Sequence, residues 1–340
     1  MRPTARAALQ GAPLLEIEAL SVAVRLQGRE IGIVDKVDLA LARDRTLAIV
    51  GESGSGKSML AMSIVRLLGD TRRFAVSGKI RFDGQELLEL PESRMREIRG
   101  RNISVIFQDS LNALNPVVPI GSQIEEAIFR TGVASREAGR RVMLRLLDEV
   151  KIPSPERRAA NYPHELSGGM RQRVMIAMAL ASRPRLIIAD EPTTSLDVTI
   201  QSQILSLLRE VRRENGMSMI FISHNLGAVA AIADDIAVMY AGQIVETGTA
   251  GDILGAPRHP YTRDLLRATP RIDRPGELRP IPGNVPRFDA MPPGCRFAPR
   301  CTGARDLCAQ RLPLPAEFRS PMGQQARCFF PAGERNGAAA

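Results

Sequence analysis

The chain has 340 residues, 44% of them apolar and 4% aromatic, with no tryptophan and a net charge of +9. That is enough for one large domain, or a domain with an appendage, each burying its own core, and the longest apolar run, VMIAMALA at Val174–Ala181, falls well short of the ~18–20 residues that cross a bilayer. Only Lys36, Lys57, Lys79 and Lys151 are lysines, the arginines are scattered rather than blocked, and aromatic platforms for single-stranded nucleic acid are scarce, so the charge reads as solvated faces.

In chain order, the opening MRPTARAALQGAP has basic residues but no apolar segment of signal-peptide length, so the chain reads as cytoplasmic. Leu15–Val24 and Val37–Leu41 read as short strands, and TLAIV at Thr46–Val50 as a strand buried on both faces and followed at once by a glycine-rich turn. SGKIRFDG and NISVIFQ have strand patterns, while Ser93–Ile98, Gly121–Arg130 and Arg136–Val150 carry helical spacing. From Leu186 the order is LIIAD, a helix over Val198–Glu214, MSMIFIS, IAVMY and QIVETG, an alternation that predicts a parallel sheet covered by helices. The mostly helical interval 109–183 reads as an inserted subdomain. After HPYTRDLLRATP the composition shifts to Pro, Gly and Arg, a linker into a small cysteine-bearing tail.

GESGSGKS at Gly51–Ser58 fits the G-x-x-x-x-G-K-[ST] phosphate loop, with a buried strand before it and the helical pattern MLAMSIVRLL after it. Gly51, Glu52, Ser53, Gly54, Ser55 and Gly56 bring backbone N–H groups to phosphate, Lys57 reaches the outer phosphates and Ser58 can hold Mg2+. LIIADE at Leu186–Glu191 supplies a carboxylate, Asp190, for the outer shell of the Mg2+, and a second, Glu191, to polarise an attacking water. An apolar strand ending in Asp-Glu is by itself only a strand end; its weight comes from partnership with the loop.

LSGGMRQR at Leu166–Arg173 is similar to the signature loop of ABC-type ATPases, with Ser167, Gly168 and Gly169 at a helix N-terminus, a second anion-binding end. Gln108 in VIFQDS resembles that family's loop glutamine, which contacts Mg2+ and water; SLD at Ser195–Asp197 resembles the loop that crosses the dimer interface; His224 in FISHN resembles the histidine at the γ-phosphate. Each motif is weak alone, but all occur in the family's order. The resemblance implies an α/β P-loop NTPase with a parallel-sheet core, an antiparallel β subdomain, the inserted helical subdomain and a small irregular C-terminal extension. It also implies ATP held between the phosphate loop of one subunit and the signature loop of another, with hydrolysis by Glu191, His224 and Gln108. Met170 and Asn225 stand where Gln and Asp are frequent in the family, and no aromatic precedes Phe74 to stack adenine.

EPTTSLDVTIQSQIL, MYAGQIVETG, APRHPYTRDLL and the cysteine-bearing end together resemble the ATP-binding subunits of dipeptide, oligopeptide and nickel importers over roughly residues 14–332. The resemblance implies a nucleotide-binding domain over 14–267, an extension over 268–335, a homologous second ATPase subunit, two membrane permeases, an extracytoplasmic binding protein, and a place on the cytoplasmic face of the inner membrane. Nickel-chelate or other small-solute import is the alternative cargo. An ATPase acting on nucleic acid would be expected to carry a coiled-coil insertion or a second ATPase domain. A redox-sensing module governed by the tail is a further alternative.

Cys295, Cys301, Cys308 and Cys328 are the chain's only cysteines. A disulfide framework does not suit a chain without an export signal. Structural zinc favours tighter pairs, and four thiolates at wide, uneven spacing on Pro-rich backbone also suit an iron–sulfur cluster. The CRFAPRC motif with the two later cysteines resembles the tail of dipeptide-importer ATPases, which implies a 4Fe-4S cluster, with zinc or unligated thiols as alternatives. Arg296, Arg300 and Arg327 would offset the thiolate charge.

Overall fold

A computed structural model describes residues 11–26, 28–69, 72–108, 113–132, 135–194, 196–269, 280–317 and 323–332. The strands are β1 (Leu15–Leu26), β2 (Arg29–Leu41), β3 (Thr46–Val50), β4 (Phe74–Phe82), β5 (Gln85–Glu86), β6 (Ile103–Ile106), β7 (Leu186–Asp190), β8 (Ser218–Ser223), β9 (Asp235–Tyr240), β10 (Gln243–Thr249), β11 (Ala316–Glu317) and β12 (Gln325–Ala326). The described residues form two compact units, one drawn from 1–42, 46–88 and 223–340, the other from 43–45 and 89–222.

The first unit contains an antiparallel sheet in the order β2-β1-β4-β5. In β1, Leu15, Ile17, Leu20 and Val22 are buried, and bulges around Glu18–Ser21 shift the alternation between Ile17 and Leu20. β2 is longer than the expected Val37–Leu41; its early half, Arg29–Ile33, is largely exposed and lacks the apolar alternation that announces a strand. A second sheet in this unit has β9 parallel to β3 and antiparallel to β10, with β12 and then β11 continuing outward from β10. β3 is buried at every residue, as a strand covered on both faces must be. The tail is therefore not wholly irregular: Glu246 and Thr247 of β10 pair with Ala326 and Gln325 of β12, and residues 280–317 and 323–332 lie in the first unit although composition shifts at 268.

The second unit has parallel strands β6, β7 and β8, with β7 between the other two. Every residue of β7 and β8 is buried. The helices Ile120–Phe129, Arg136–Glu149 and Gly168–Leu180 pack together through residues such as Ile124, Ile128, Met143, Leu147 and Val174. They form the inserted helical region, and Asp109, its expected first residue, lies outside the described residues. Among the described residues, no helix is long and apolar enough to cross a membrane.

Candidate functional site

In the first unit, β3 runs into the glycine-rich loop and the helix Lys57–Ile64. Gly51 cannot be replaced without displacement, since a Cβ there would lie 2.1 Å from the carbonyl oxygen of Met239. Gly54 and Gly56 have φ of +76° and +103°, backbone that L side chains rarely adopt. The helix has no acidic residue in its own first turn, so its N-terminal end suits an anion. Lys57 is buried; its Nζ donates to the carbonyls of Gly51 and Glu52, both at 2.9 Å, and to Ser55 Oγ at 3.4 Å. Ser53, Gly54 and Ser58 are exposed on the same loop. A cradle that a Cβ would fill, a helix N-terminus and a buried lysine at the base fit the phosphates of a nucleotide, and the exposed Ser58 stands beside them as a residue that would meet their Mg2+.

His224 belongs to the same unit and is exposed just after β8. Asn225 caps the helix Leu226–Ile232, its Oδ1 accepting from the amides of Gly227 at 2.9 Å and Ala228 at 3.3 Å. Asn stands in for Asp here because the cap needs a side-chain oxygen and not a charge.

In the second unit, β7 ends in the buried Asp190, and the half-buried Glu191 follows it. Glu191 has φ of +46°, a strained conformation for a non-glycine residue, and its N–H still donates to the carbonyl of Ile222 at 3.0 Å. Its Oε2 accepts from Gln108 Nε2 at 3.1 Å and from Thr194 Oγ1 at 2.9 Å. The residues expected to meet Mg2+ and the attacking water are thus joined to each other. Thr194 escaped the motif reading, although its place three residues after Glu191 in EPTT is a signal that a side-chain bond to the carboxylate could have used.

Ser167 caps the helix Gly168–Leu180, accepting from the amide of Met170 at 3.3 Å. A Cβ on Gly169 would meet Ile200 Cγ2 at 2.6 Å, so the glycine is required by packing as well as by any ligand. Asp197 caps the helix Val198–Glu214 through the amide of Ile200 at 2.9 Å. Asp197 and the neighbouring Val198 are exposed, and Ser195 lies outside the described residues.

Cys295, Cys301, Cys308 and Cys328 all line one cavity of about 160 Å³, together with His259, Phe297 and Phe330. Burial pushes the Cys295 and Cys301 thiols up and raises Cys328 to about 11, with neighbouring cysteines adding to each shift. Among the described residues, no group of three or more His, Cys, Asp or Glu side chains is arranged to hold a metal ion. Two of the arginines expected to offset thiolates are committed elsewhere. Arg296 pairs with Asp35 and Arg300 with Glu52, because those carboxylates lie within reach of their forks and the sulfurs compete only as weak acceptors.

Comparison with known proteins bears on this arrangement directly. Residues 34–194 match the ABC transporter family, and residues 245–308 match the C-terminal region of oligopeptide/dipeptide transporters. A Brucella abortus (strain 2308) protein provisionally named a peptide import ATP-binding protein is 51% identical over 322 residues, covering 94% of this chain and 96% of that one. A similarly named Brucella ovis protein is 47% identical over 329 residues, covering 93% and 97%. Among solved structures, an ATP-binding cassette determined as a dimer in a post-hydrolysis state with ADP and Pi superposes with a TM-score of 0.62 at 26% identity, over 69% of this chain and 98% of that one. A Clostridium perfringens cassette from the ABC transporter complex cbiONQ gives 0.63 at 25% identity, over 72% and 92%. Sequence, loop geometry and fold agree: the chain belongs to the ABC transporter family of ATP-binding proteins, in the branch that carries the oligopeptide/dipeptide transporter C-terminal region.

Proposed function

We propose that this chain is the ATP-hydrolysing subunit that powers peptide import, a reading carried by one observation: the Glu191 carboxylate is held by Gln108 and Thr194 on a chain whose phosphate loop is complete. The relatives named for peptide import support the cargo class. In this reading Gly51–Ser58 would bind the phosphates of ATP, Ser58 and Gln108 are the residues that would hold Mg2+, Asp190 would serve its outer shell and His224 the γ-phosphate. Glu191 accepts a proton from the attacking water while the bond to the leaving ADP oxygen breaks, so catalysis is positioning plus charge stabilisation. Ser167, Gly168 and Gly169 serve the nucleotide of a homologous second ATPase subunit, and the loop 195–197 crosses to it. The working assembly is a heterodimer beneath two permeases on the cytoplasmic face of the inner membrane, supplied by an extracytoplasmic binding protein. The cassette spans 14–267 and the extension 268–335 in this reading, although the match to the C-terminal region begins earlier, at residue 245.

In this reading the cysteine cavity would take a 4Fe-4S cluster, with zinc as the alternative. What supports it is that all four cysteines line one space, and four thiolates at wide, uneven spacing suit such a cluster. Bound there, a cluster would cross-link the segment 295–308 to Cys328.

The test is ATP hydrolysis by the chain assembled with its permeases, with and without peptide-loaded binding protein. Peptide-stimulated hydrolysis that Lys57→Ala abolishes is the expected result; stimulation by DNA or RNA instead would overturn the transport reading.

A further inference from the structure

Glu52 is an anion inside a loop built to receive an anion. A free carboxylate at that position would oppose the incoming phosphates, so its restraint is a functional question. The restraint comes from the far end of the chain. Arg300 Nη1 donates to Glu52 Oε1 at 2.9 Å and Nη2 donates to Oε2 at 3.0 Å, a two-pronged pair between residues 248 apart. The Arg300 side chain is only 4% exposed, and the rest of its fork is used as well: Nε donates to the carbonyl of Pro282 at 2.8 Å and Nη1 to Tyr240 Oη at 3.4 Å. The other end of Glu52 is also held, its N–H donating to Tyr261 Oη at 2.8 Å.

The holding groups are themselves rigid. Tyr240, Tyr261 and Phe297 are buried, with ring centroids 4.6 to 5.4 Å apart. His259 fixes the start of the helix Pro260–Ala268, its Nδ1 accepting from the Tyr261 amide at 3.0 Å. The carbonyl of Glu52 in turn accepts from Lys57 Nζ at 2.9 Å, so Glu52 stands between the aromatic cage and the lysine of the phosphate loop. All of these residues lie in the first unit.

We propose that Arg300 is a positioning residue of the phosphate loop: by fixing and neutralising Glu52 it sets the affinity for nucleotide, and through it the cysteine-bearing tail becomes part of the ATP site. The inference rests on the reading of that loop as the ATP site. A lysine cannot replace the fork, since one ammonium does not bond both carboxylate oxygens in this planar geometry.

The experiment measures Mg-ATP affinity, and KM and kcat for hydrolysis, on the full chain and on R300Q, R300K, E52Q and the double variant R300Q/E52Q. Expected is about a tenfold rise in Kd and KM for R300Q, equivalent to about 1.4 kcal/mol, with kcat largely retained because Glu191 and Gln108 are untouched. R300K is expected to show a smaller rise of about threefold, by loss of the fork alone. In the E52Q background, R300Q should cost little more, since the charge that Arg300 neutralises is gone. An unchanged Kd in R300Q, or an equal loss with and without E52Q, overturns the proposal, the second result meaning that Arg300 only secures the tail. If R300Q does not accumulate as folded protein, R300K in the wild-type and E52Q backgrounds gives the same comparison with the same two outcomes. Failure of the wild-type chain to bind ATP would instead defeat the reading of the loop, which keeps the two failures distinct.

Discussion

Gln108 and Glu191, 83 residues apart in sequence, share a hydrogen bond of 3.1 Å from Nε2 to Oε2. Thr194 Oγ1 donates to the same oxygen at 2.9 Å. Two donors on one oxygen orient the carboxylate, as a base that takes a proton from water must be oriented. Glu191→Gln is expected to lower kcat by about 10²–10⁴-fold while ATP binding persists, because the phosphate loop is untouched. Thr194→Val should show a smaller fall in kcat at unchanged ATP affinity. Single-turnover hydrolysis together with equilibrium binding checks both; a Glu191→Gln chain with wild-type turnover would remove Glu191 from the chemistry.

Asn225 caps a short helix immediately after His224, through two backbone amides. Asn225→Ala is expected to cost about 1 kcal/mol of stability, the usual loss for an N-cap. Asn225→Asp keeps the oxygen and should retain stability within about 0.5 kcal/mol. Denaturant midpoints of the two variants against wild type decide the matter, and equal losses would show that the cap is not what the position requires.

His259 is buried, and burial pushes its pKa from the ordinary 6.5 down to about 4. Burial outweighs the opposing bond to the backbone of Arg327, which favours the charged ring, so the folded chain keeps the imidazole neutral, with Nδ1 accepting from the Tyr261 amide. The unfolded chain binds the proton first, near pH 6.5. The stabilisation is therefore complete above that value and is lost as pH falls toward 4, by up to about 3 kcal/mol in all. Unfolding free energies measured from pH 7.5 to 4.5 should fall for wild type and flatten over this window in His259→Gln. A parallel slope in both would show that other groups carry the acid sensitivity.

The four cysteines lining one cavity lead to a compositional prediction. Protein purified without oxygen should carry about four irons and four sulfides per chain, and Cys301→Ser should lower both together. Stoichiometric zinc instead would make the tail a structural staple, and a metal-free, fully folded chain would mean that the cavity is only a gap among thiols.

The sequence alone determined the class of the protein and pointed to the loops proposed as its working parts. GESGSGKS between an apolar strand and a helix, the Asp190–Glu191 strand end, and LSGGMRQR are local patterns, and local patterns survive in sequence because short-range backbone geometry demands particular residue types at fixed spacing. Buried strands such as β3 and β7 were legible for the same reason, their uninterrupted apolar runs reporting cover on both faces. The early half of β2 was not, since an exposed strand beginning in Arg29 and Glu30 depends on pairing with β1 rather than on its own side chains.

Tertiary structure decided the partnerships. In a chain rich in scattered arginines, nothing local distinguishes Arg300 from its neighbours; its partner is chosen by the packing of Phe297 against Tyr240 and Tyr261, which brings the guanidinium to Glu52 from 248 residues away. The same holds for Gln108 with Glu191 and for the gathering of four unevenly spaced cysteines around one space. Charge and hydrogen bonding act over a few ångströms, and only the folded core determines which distant residues come within that range.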